Sequence, residues 1–258
     1  MSAGVGPVLG LDTSSATASL AIVSHGQIIA EVARSAASQG AELPAAVAEV
    51  ADRAGIAIKN LDGIGVGIGP GSFTGLRVGL AYAKGMVLAL GCALIGISTF
   101  DCLALAAFEH PSVTEGNPIC PIIDARKGEV YANLYRAGAD RLDKISAPLV
   151  IKLQNLFPML SDGVILVGDP KAKETSLLLS ERGIRSTVID ETGMDSRGRY
   201  VAMLGAEAIA RGVKDNPAIV EPLYVRSAEA TFKPATVPPA TAAKERPWSD
   251  ATKSSSSN

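Results

Sequence analysis

The chain has little of what several common functional classes need. Lysine and arginine number 24 against 26 aspartate and glutamate residues, so the net charge is -2 and no overall positive field draws the protein to nucleic acid. A nucleic-acid role would therefore need a local basic patch or a basic partner. Histidine occurs only at His25 and His110, and the three cysteines have no Cys-x-x-Cys spacing. Without clustered ligands, we do not expect an ordinary zinc or iron site.

An odd number of cysteines fits a reducing compartment, in which Cys92, Cys102 and Cys120 serve as small core residues. The first seven residues have no basic segment and no apolar run long enough for a signal peptide. The apolar run at 78–97 raises the question of a membrane span. It contains Lys84 and several glycines, and it is better explained as the end of a helix followed by a strand. We expect a cytoplasmic protein.

Apolar strand-like runs alternate with helix-like runs along most of the chain, and 47% of the residues are hydrophobic, which is enough for a substantial core. The order β-β-β-α-β-α occurs twice, and Asp12 and Asp124 end the first strand of each copy. This alternation favours largely parallel sheets, each opened by an antiparallel hairpin. We predict an α/β protein with lobes at 1–110 and 111–233. The Pro-, Ala-, Lys- and Ser-rich tail at 234–258 is expected to be disordered.

The most informative segment is a glycine-rich turn between a strand-like run at 62–68 and a helix-like run at 74–90. It lacks the Gly-Lys-Ser/Thr of a Walker loop, and a proline stands where a dinucleotide-binding backbone would donate hydrogen bonds. Either a serine or a threonine could cap the helix, and anion binding at the helix N-terminus remains open. The residues of this glycine loop are Gly69, Gly71, Ser72 and Thr74.

The helix after the glycine loop has small residues at four-residue spacing. Gly75, Gly79 and Ala83 therefore share one face. Glycine inside a helix costs about 1 kcal/mol relative to alanine, so we expect this face to have a close neighbour. That neighbour is either the protein's own sheet or a second chain, and the spacing leaves both alternatives open.

Asp12, Thr13 and Ser14 stand where actin-like and sugar-kinase-like ATPases have a phosphate loop. In those enzymes the aspartate holds a metal-bound water, and main-chain N–H groups cradle phosphate. Here Thr13 replaces the glycine expected after Asp12, and the second copy, at 124–128, departs further from the pattern. These segments are either a degenerate phosphate site or a relic in which the aspartate closes a turn.

Five motifs, spread in the same order over residues 8–233, resemble the bacterial TsaB (YeaZ) family. The motifs are Leu9-Gly10-Leu11-Asp12-Thr13-Ser14, Gly69-Pro70-Gly71-Ser72-Phe73-Thr74-Gly75-Leu76-Arg77, Ile97-Ser98-Thr99, Ile123-Asp124-Ala125-Arg126-Lys127-Gly128-Glu129-Val130-Tyr131 and Glu221-Pro222-Leu223-Tyr224-Val225-Arg226. The second and fourth motifs are highly specific in combination. The tail at 234–258 is not part of the family pattern, and we assign it no function.

This resemblance implies an actin-like (ASKHA, ribonuclease H-like) two-lobed fold and a role in making N6-threonylcarbamoyladenosine beside the tRNA anticodon. In that pathway a synthase makes threonylcarbamoyl-adenylate, and the metal-bearing paralogue TsaD transfers the threonylcarbamoyl group to adenine. TsaB-like proteins are the partner that TsaD requires, and the ATPase TsaE joins them. Family members pair with TsaD, or with themselves, through helices of the N-terminal lobe. Carried onto this chain, that interface is the face of Gly75, Gly79, Leu80 and Ala83.

We therefore expect a non-catalytic scaffold subunit that has no cofactor or metal of its own and meets tRNA only through the complex. The metal-binding histidine pair of TsaD is absent from this sequence, so a metallopeptidase-like role fits badly. The alternative from another class is an independent actin-like ATPase or kinase that uses Asp12 and Asp124.

Overall fold

Two mixed β-sheets with the same strand order form the frame of the protein. The computed structural model describes residues 5–35, 39–189 and 197–225. The tail predicted at 234–258 lies outside the described residues.

The first sheet has five strands in the order β3-β2-β1-β4-β5. The pairs β1–β2 and β2–β3 are antiparallel, whereas β1, β4 and β5 run parallel. All five residues of β1 are buried, as expected for a central strand that is covered on both faces. The strands are β1 (Val8–Asp12), β2 (Thr17–Ser24), β3 (Gln27–Ser35), β4 (Gly63–Gly69) and β5 (Ala93–Ser98).

Three helices follow the strands of this sheet: α1 (Gln39–Ala54), α2 (Phe73–Leu90) and α3 (Thr99–Phe108). Apolar residues of α1 and α2 form one buried cluster with Leu9 and Leu11 of β1, so both helices cover the same face. The helix α3 packs instead against strands of the second sheet. The side chain of Ser98 caps α3 by accepting a hydrogen bond from the N–H of Phe100 at 3.2 Å.

The second sheet repeats the strand order of the first as β10-β7-β6-β11-β12, with β8 and β9 attached at the side. This equal order confirms the predicted duplication. Its strands are β6 (Pro118–Arg126), β7 (Glu129–Ala132), β8 (Tyr135–Ala137), β9 (Leu142–Lys144), β10 (Leu149–Lys152), β11 (Val164–Gly168) and β12 (Ser186–Ile189). Its helices are α4 (Leu153–Leu156) and α5 (Lys171–Ser180). The segment 129–135 does not form one continuous strand, since it divides at the buried Asn133 into β7 and β8.

The last helix, α6 (Arg197–Ala210), belongs to the predicted C-terminal lobe but packs on the first sheet, on the face opposite α1 and α2. Glycines permit this close approach. The N–H of Gly198 donates to Ser19 Oγ at 2.6 Å, and a side chain at Gly198 would lie 2.6 Å from the carbonyl oxygen of Ser19. The crossing brings Arg197 to the end of β1, where the candidate site lies.

Candidate functional site

A cleft of about 870 Å³ lies where loops of the two sheets meet. The loop after β1, the glycine loop, the β6–β7 turn, the loop after β11 and the start of α6 all contribute to it. Ligand sites of α/β proteins lie at this edge, beyond the carboxyl ends of the parallel strands. Its lining includes Ser14, Ser72, Phe73, Arg126, Lys171 and Arg197.

On the side of the first sheet, the predicted phosphate loop is filled by the protein's own side chains. Oδ1 of the buried Asp12 accepts hydrogen bonds from the N–H and the hydroxyl of Ser14, at 3.1 and 2.8 Å. Arg197 Nη1 donates to that hydroxyl at 2.7 Å and lies 3.9 Å from Asp12 Oδ1. The Arg197 side chain is only 6% exposed. A fixed guanidinium therefore stands beside the carboxylate that would hold a metal-bound water in an actin-like ATPase.

The glycine loop packs directly on this segment. The N–H of Ser72 donates to the carbonyl oxygen of Ser14 at 2.7 Å, and a side chain at Gly71 would lie 2.7 Å from Ser14 Cβ. Ser72 rather than Thr74 caps α2, because its side chain accepts a hydrogen bond from the N–H of Gly75 at 3.2 Å. The small residues of the loop thus serve a close loop–loop contact, and anion binding here stays a prediction.

On the side of the second sheet, the carboxylates are held by main-chain N–H groups. Asp124 Oδ1 accepts from the N–H of Arg126 at 2.8 Å, and its Oδ2 lies 3.3 Å from the guanidinium of the same arginine. The two oxygens of Asp169 accept from the N–H groups of Asp124 and Lys171, at 2.5 and 2.8 Å. These contacts close turns, as the relic interpretation of the second copy expects.

The four residues predicted to form the partner interface all face inward. Gly75, Gly79, Leu80 and Ala83 are buried. The hydroxyl of Thr13 donates to the carbonyl oxygen of Gly75 at 2.7 Å, and a side chain at Gly79 would overlap that hydroxyl. The close neighbour of this face is therefore the protein's own phosphate-like loop and sheet. This corrects the face on which the interface was predicted, while an interface on α2 itself stays a prediction.

The opposite face of α2 is exposed and mostly apolar. Leu88 is 77% exposed, and a side chain at Gly85 would meet no atom within 4 Å. We call the exposed set Arg77, Ala81, Gly85 and Leu88 the outward stripe of α2. Within the described residues, α2 is also the helix that is long and apolar enough to cross a membrane by length and composition, although one third of it is buried inside the fold. Its apolar character thus serves two faces, one packed on the sheet and one turned outward.

An arginine–aromatic cluster lies at the start of this stripe. The guanidinium carbon of Arg77 is 3.9 Å from the centre of the Phe73 ring, and its Nε and Nη2 each lie 3.2 Å from the hydroxyl of Tyr224. Phe73 is 57% exposed and Tyr224 is 46% exposed. Side chains of these types often dominate the energy of protein–protein interfaces. Sequence reasoning quoted Tyr224 within a motif but gave it no role, because the contact joins residues 147 positions apart.

Neither nucleophilic nor metal chemistry is assembled at the cleft in the residues that the structure describes. No group of three or more metal-ligating side chains occurs among them. Burial raises the pKa of the Cys120 thiol to about 12 and also raises the pKa of the Cys102 thiol, so both are protonated near neutral pH. Both thiols act as core residues.

Comparison with known proteins agrees with this architecture. A family model described as TsaD, tRNA N6-adenosine threonylcarbamoyltransferase, matches residues 18–223. The TsaB protein of Bacillus subtilis (strain 168), a tRNA threonylcarbamoyladenosine biosynthesis protein, is 26% identical over 230 residues, which cover 88% of this chain and 96% of that protein. The solved structure of YeaZ from Pseudomonas aeruginosa has a TM-score of 0.70 at 24% identity and covers 85% of this chain and 100% of its own.

A likeness to a sugar kinase confirms the fold. A candidate N-acetylmannosamine kinase from Listeria monocytogenes has a TM-score of 0.50 at 10% identity, covering 78% of this chain and 99% of its own. The fold and the site thus define a two-lobed, actin-like α/β protein in which an arginine side chain fills the loop predicted to bind phosphate. The chain belongs to the TsaD-related family and, within it, to the TsaB (YeaZ) proteins of tRNA threonylcarbamoyladenosine synthesis.

Proposed function

We propose that this chain is a non-catalytic scaffold and activator subunit that binds a TsaD-like transferase. In this role it is required when the transferase attaches the threonylcarbamoyl group to the adenosine next to the tRNA anticodon. The observation that carries the proposal is the outward stripe of α2, an exposed and mostly apolar helix face that begins at the cluster of Phe73, Arg77 and Tyr224. A TsaE-like ATPase would join the pair, tRNA would be met through the complex, and the assembly would work in the cytoplasm.

The shape of the surface suits a helical partner. Beside α2, the helix α1 also turns small residues outward, since Ala45 and Ala48 are exposed. A surface built from alanine and glycine lets another helix approach closely, and the projecting Leu88 supplies apolar area to bury. A TsaD-like paralogue is the occupant that we propose, because the family model that matches this chain is the transferase's own. A second copy of this chain is the competing occupant.

The closed phosphate loop supports a role without catalysis. Binding Mg-ATP at Asp12 would require displacement of the buried Arg197 side chain from Ser14, which breaks a charge-assisted hydrogen bond. If the guanidinium stayed in place instead, the metal would lie next to it and the two cations would repel each other. Either cost opposes nucleotide turnover at this position.

The test is the variant Leu88→Asp, with Leu177→Asp on α5 as its matched control. The two leucines are 77% and 68% exposed, and both changes add one negative charge. A charge buried in an apolar interface should weaken binding to the transferase of the same organism by tenfold or more, as measured by calorimetry. Leu177→Asp should bind as the parent chain does. Equal affinities for Leu88→Asp and the parent chain would refute an interface on this stripe.

An independent ATPase or kinase is the second candidate, because the cleft is large and Arg126 and Lys171 line it. A titration of the isolated chain with Mg-ATP separates the two functions. Tight binding with turnover that is lost in Asp12→Ala would favour the enzyme, whereas the scaffold proposal expects neither.

A further inference from the structure

Thr13 has a role that a phosphate-loop glycine could not have. Its side chain is 1% exposed and reaches from the end of β1 into α2. There its hydroxyl donates to the carbonyl oxygen of Gly75, in the first turn of the helix, at 2.7 Å. The residues are 62 positions apart, and the bond lies in the protein interior. Thr13, which replaces the glycine expected after Asp12, is thus the residue that bonds to α2.

The helix α2 leaves space for the Thr13 side chain because it has a glycine at position 79. Gly79 lies one turn after Gly75, and a Cβ on Gly79 would overlap the Thr13 hydroxyl and lie 3.3 Å from both Thr13 Cβ and Cγ2. A glycine at this helix position destabilises the helix relative to alanine, so the space for the Thr13 side chain is kept at the expense of helix stability. The threonine and the glycine are complementary in shape.

A second hydrogen bond joins the same two segments. The N–H of Ser72, the residue that caps α2, donates to the carbonyl oxygen of Ser14 at 2.7 Å. Two consecutive loop residues therefore bond to the cap and to the first turn of α2. Together the two bonds fix both the position of the helix end and its rotation about its own axis.

We propose that Thr13 is a positioning residue for partner binding, and that the former phosphate loop now serves as the socket of the docking helix. The proposal rests on the proposed function, since it assumes that the outward stripe of α2 meets the partner. Successive residues of an α-helix are 100° apart, so a small rotation of α2 would change which side chains the stripe presents. The hydrogen bond to one particular carbonyl selects a single rotation.

Apolar packing alone would hold the helix less specifically. An alanine at position 13 with an alanine at position 79 would fill similar space, but methyl contacts have no direction and allow several rotations. A satisfied buried polar contact adds geometric specificity, because any other arrangement leaves the buried hydroxyl of Thr13 without its acceptor. Apolar packing alone and a directional hydrogen bond therefore predict different effects on partner affinity when the hydroxyl of Thr13 is removed.

The experiment compares Thr13→Val, which keeps the shape and removes the hydroxyl, with Thr13→Ser, which keeps the hydroxyl. Each full-length chain is titrated by calorimetry with the TsaD-like transferase of the same organism. We expect Thr13→Val to bind about fivefold more weakly, the equivalent of one net hydrogen bond of about 1 kcal/mol. Thr13→Ser should stay within about twofold of the parent chain. Amide hydrogen exchange in the first turns of α2 should accelerate in isolated Thr13→Val and not in Thr13→Ser.

The outcomes separate this inference from the function on which it rests. If Leu88→Asp weakens binding but Thr13→Val does not, the positioning role is overturned and the scaffold proposal survives. If Leu88→Asp has no effect on binding, the outward stripe is not the partner interface, and the positioning role falls with it. Should Thr13→Val fold poorly, the double variant Thr13→Ala/Gly79→Ala restores the packing without the hydrogen bond. Recovery of stability with weak binding supports the positioning role, and recovery of both overturns it.

Discussion

Replacing Arg197 by methionine tests whether its guanidinium balances the buried carboxylate of Asp12. The two side chains are 6% and 1% exposed, so water screens neither of them well. Methionine keeps much of the apolar length of the arginine side chain. The change removes the 2.7 Å hydrogen bond to Ser14 Oγ and leaves Asp12 held only by the N–H and hydroxyl of Ser14.

The expected cost follows from the geometry of the pair. Removing one partner of a buried ion pair typically costs about 3–5 kcal/mol, because the other charge is left uncompensated. Here the nearest charged atoms of Asp12 and Arg197 are 3.9 Å apart and Ser14 lies between them, so the lower end of that range applies. A loss of about 3 kcal/mol corresponds to a fall in Tm of about 6–12 °C for a domain of this size.

The assay is urea unfolding at pH 7, followed by circular dichroism, on a complete double-mutant cycle. The single variants are Asp12→Asn and Arg197→Met, and the double variant combines them. Because the double variant contains no uncompensated buried charge, it should lose at least about 1 kcal/mol less than the sum of the single losses. If Arg197→Met lowers the free energy of unfolding by less than about 1 kcal/mol and the losses of the single variants add up to that of the double variant, the guanidinium of Arg197 does not balance the carboxylate of Asp12.

Further predictions concern α2 and the buried thiols. Gly79→Ala should destabilise the chain by about 1–3 kcal/mol, because the new methyl group overlaps the Thr13 hydroxyl. Gly85→Ala should stabilise it by up to about 1 kcal/mol, because a methyl group at position 85 has no atom within 4 Å and alanine favours the helix. Urea unfolding that gives both changes the same sign would contradict the inward packing of Gly79. At pH 8 a thiol reagent should label the half-buried Cys92 well before the other two cysteines, and all three equally in urea. Since burial raises the pKa of Cys120 from about 9 to about 12, its contribution to stability is complete below pH 9 and is lost as the pH rises through 12. The urea midpoint of unfolding should fall as the pH rises from 9 to 12, and a rise would contradict the burial of the Cys120 thiol in its protonated form.

Local signals predicted the elements of α2 but not its orientation. Gly69, Pro70 and Gly71 marked the turn, and the apolar run that follows marked the helix, so the helix and its N-terminal cap could be predicted from the sequence. The spacing of Gly75, Gly79 and Ala83 correctly indicated a face with a close neighbour. Periodicity says which residues share a face and nothing about what lies opposite. The neighbour was found only when the position of Thr13 was known.

The parts that escaped prediction depend on contacts between distant segments. Arg197 reaches Ser14 across 183 positions, and Tyr224 reaches Arg77 across 147. An arginine at the start of a helix is ordinary, and the motif that contains Tyr224 does not say which residue it contacts. The duplication, by contrast, was visible because apolar runs lead into Asp12 and into Asp124 at the same place in each copy, although β6 continues beyond Asp124 to Arg126.

The packing of α6 on the first sheet affects how the protein folds during its synthesis. A ribosome releases β1 to β5 long before residue 197, so the nascent sheet waits with the face around Gly10 and Gly65 uncovered. We therefore expect that the first 110 residues do not fold alone and that a fragment that ends there aggregates. A peptide of residues 197–210 added in trans should rescue it, which makes this protein a natural subject for fragment complementation.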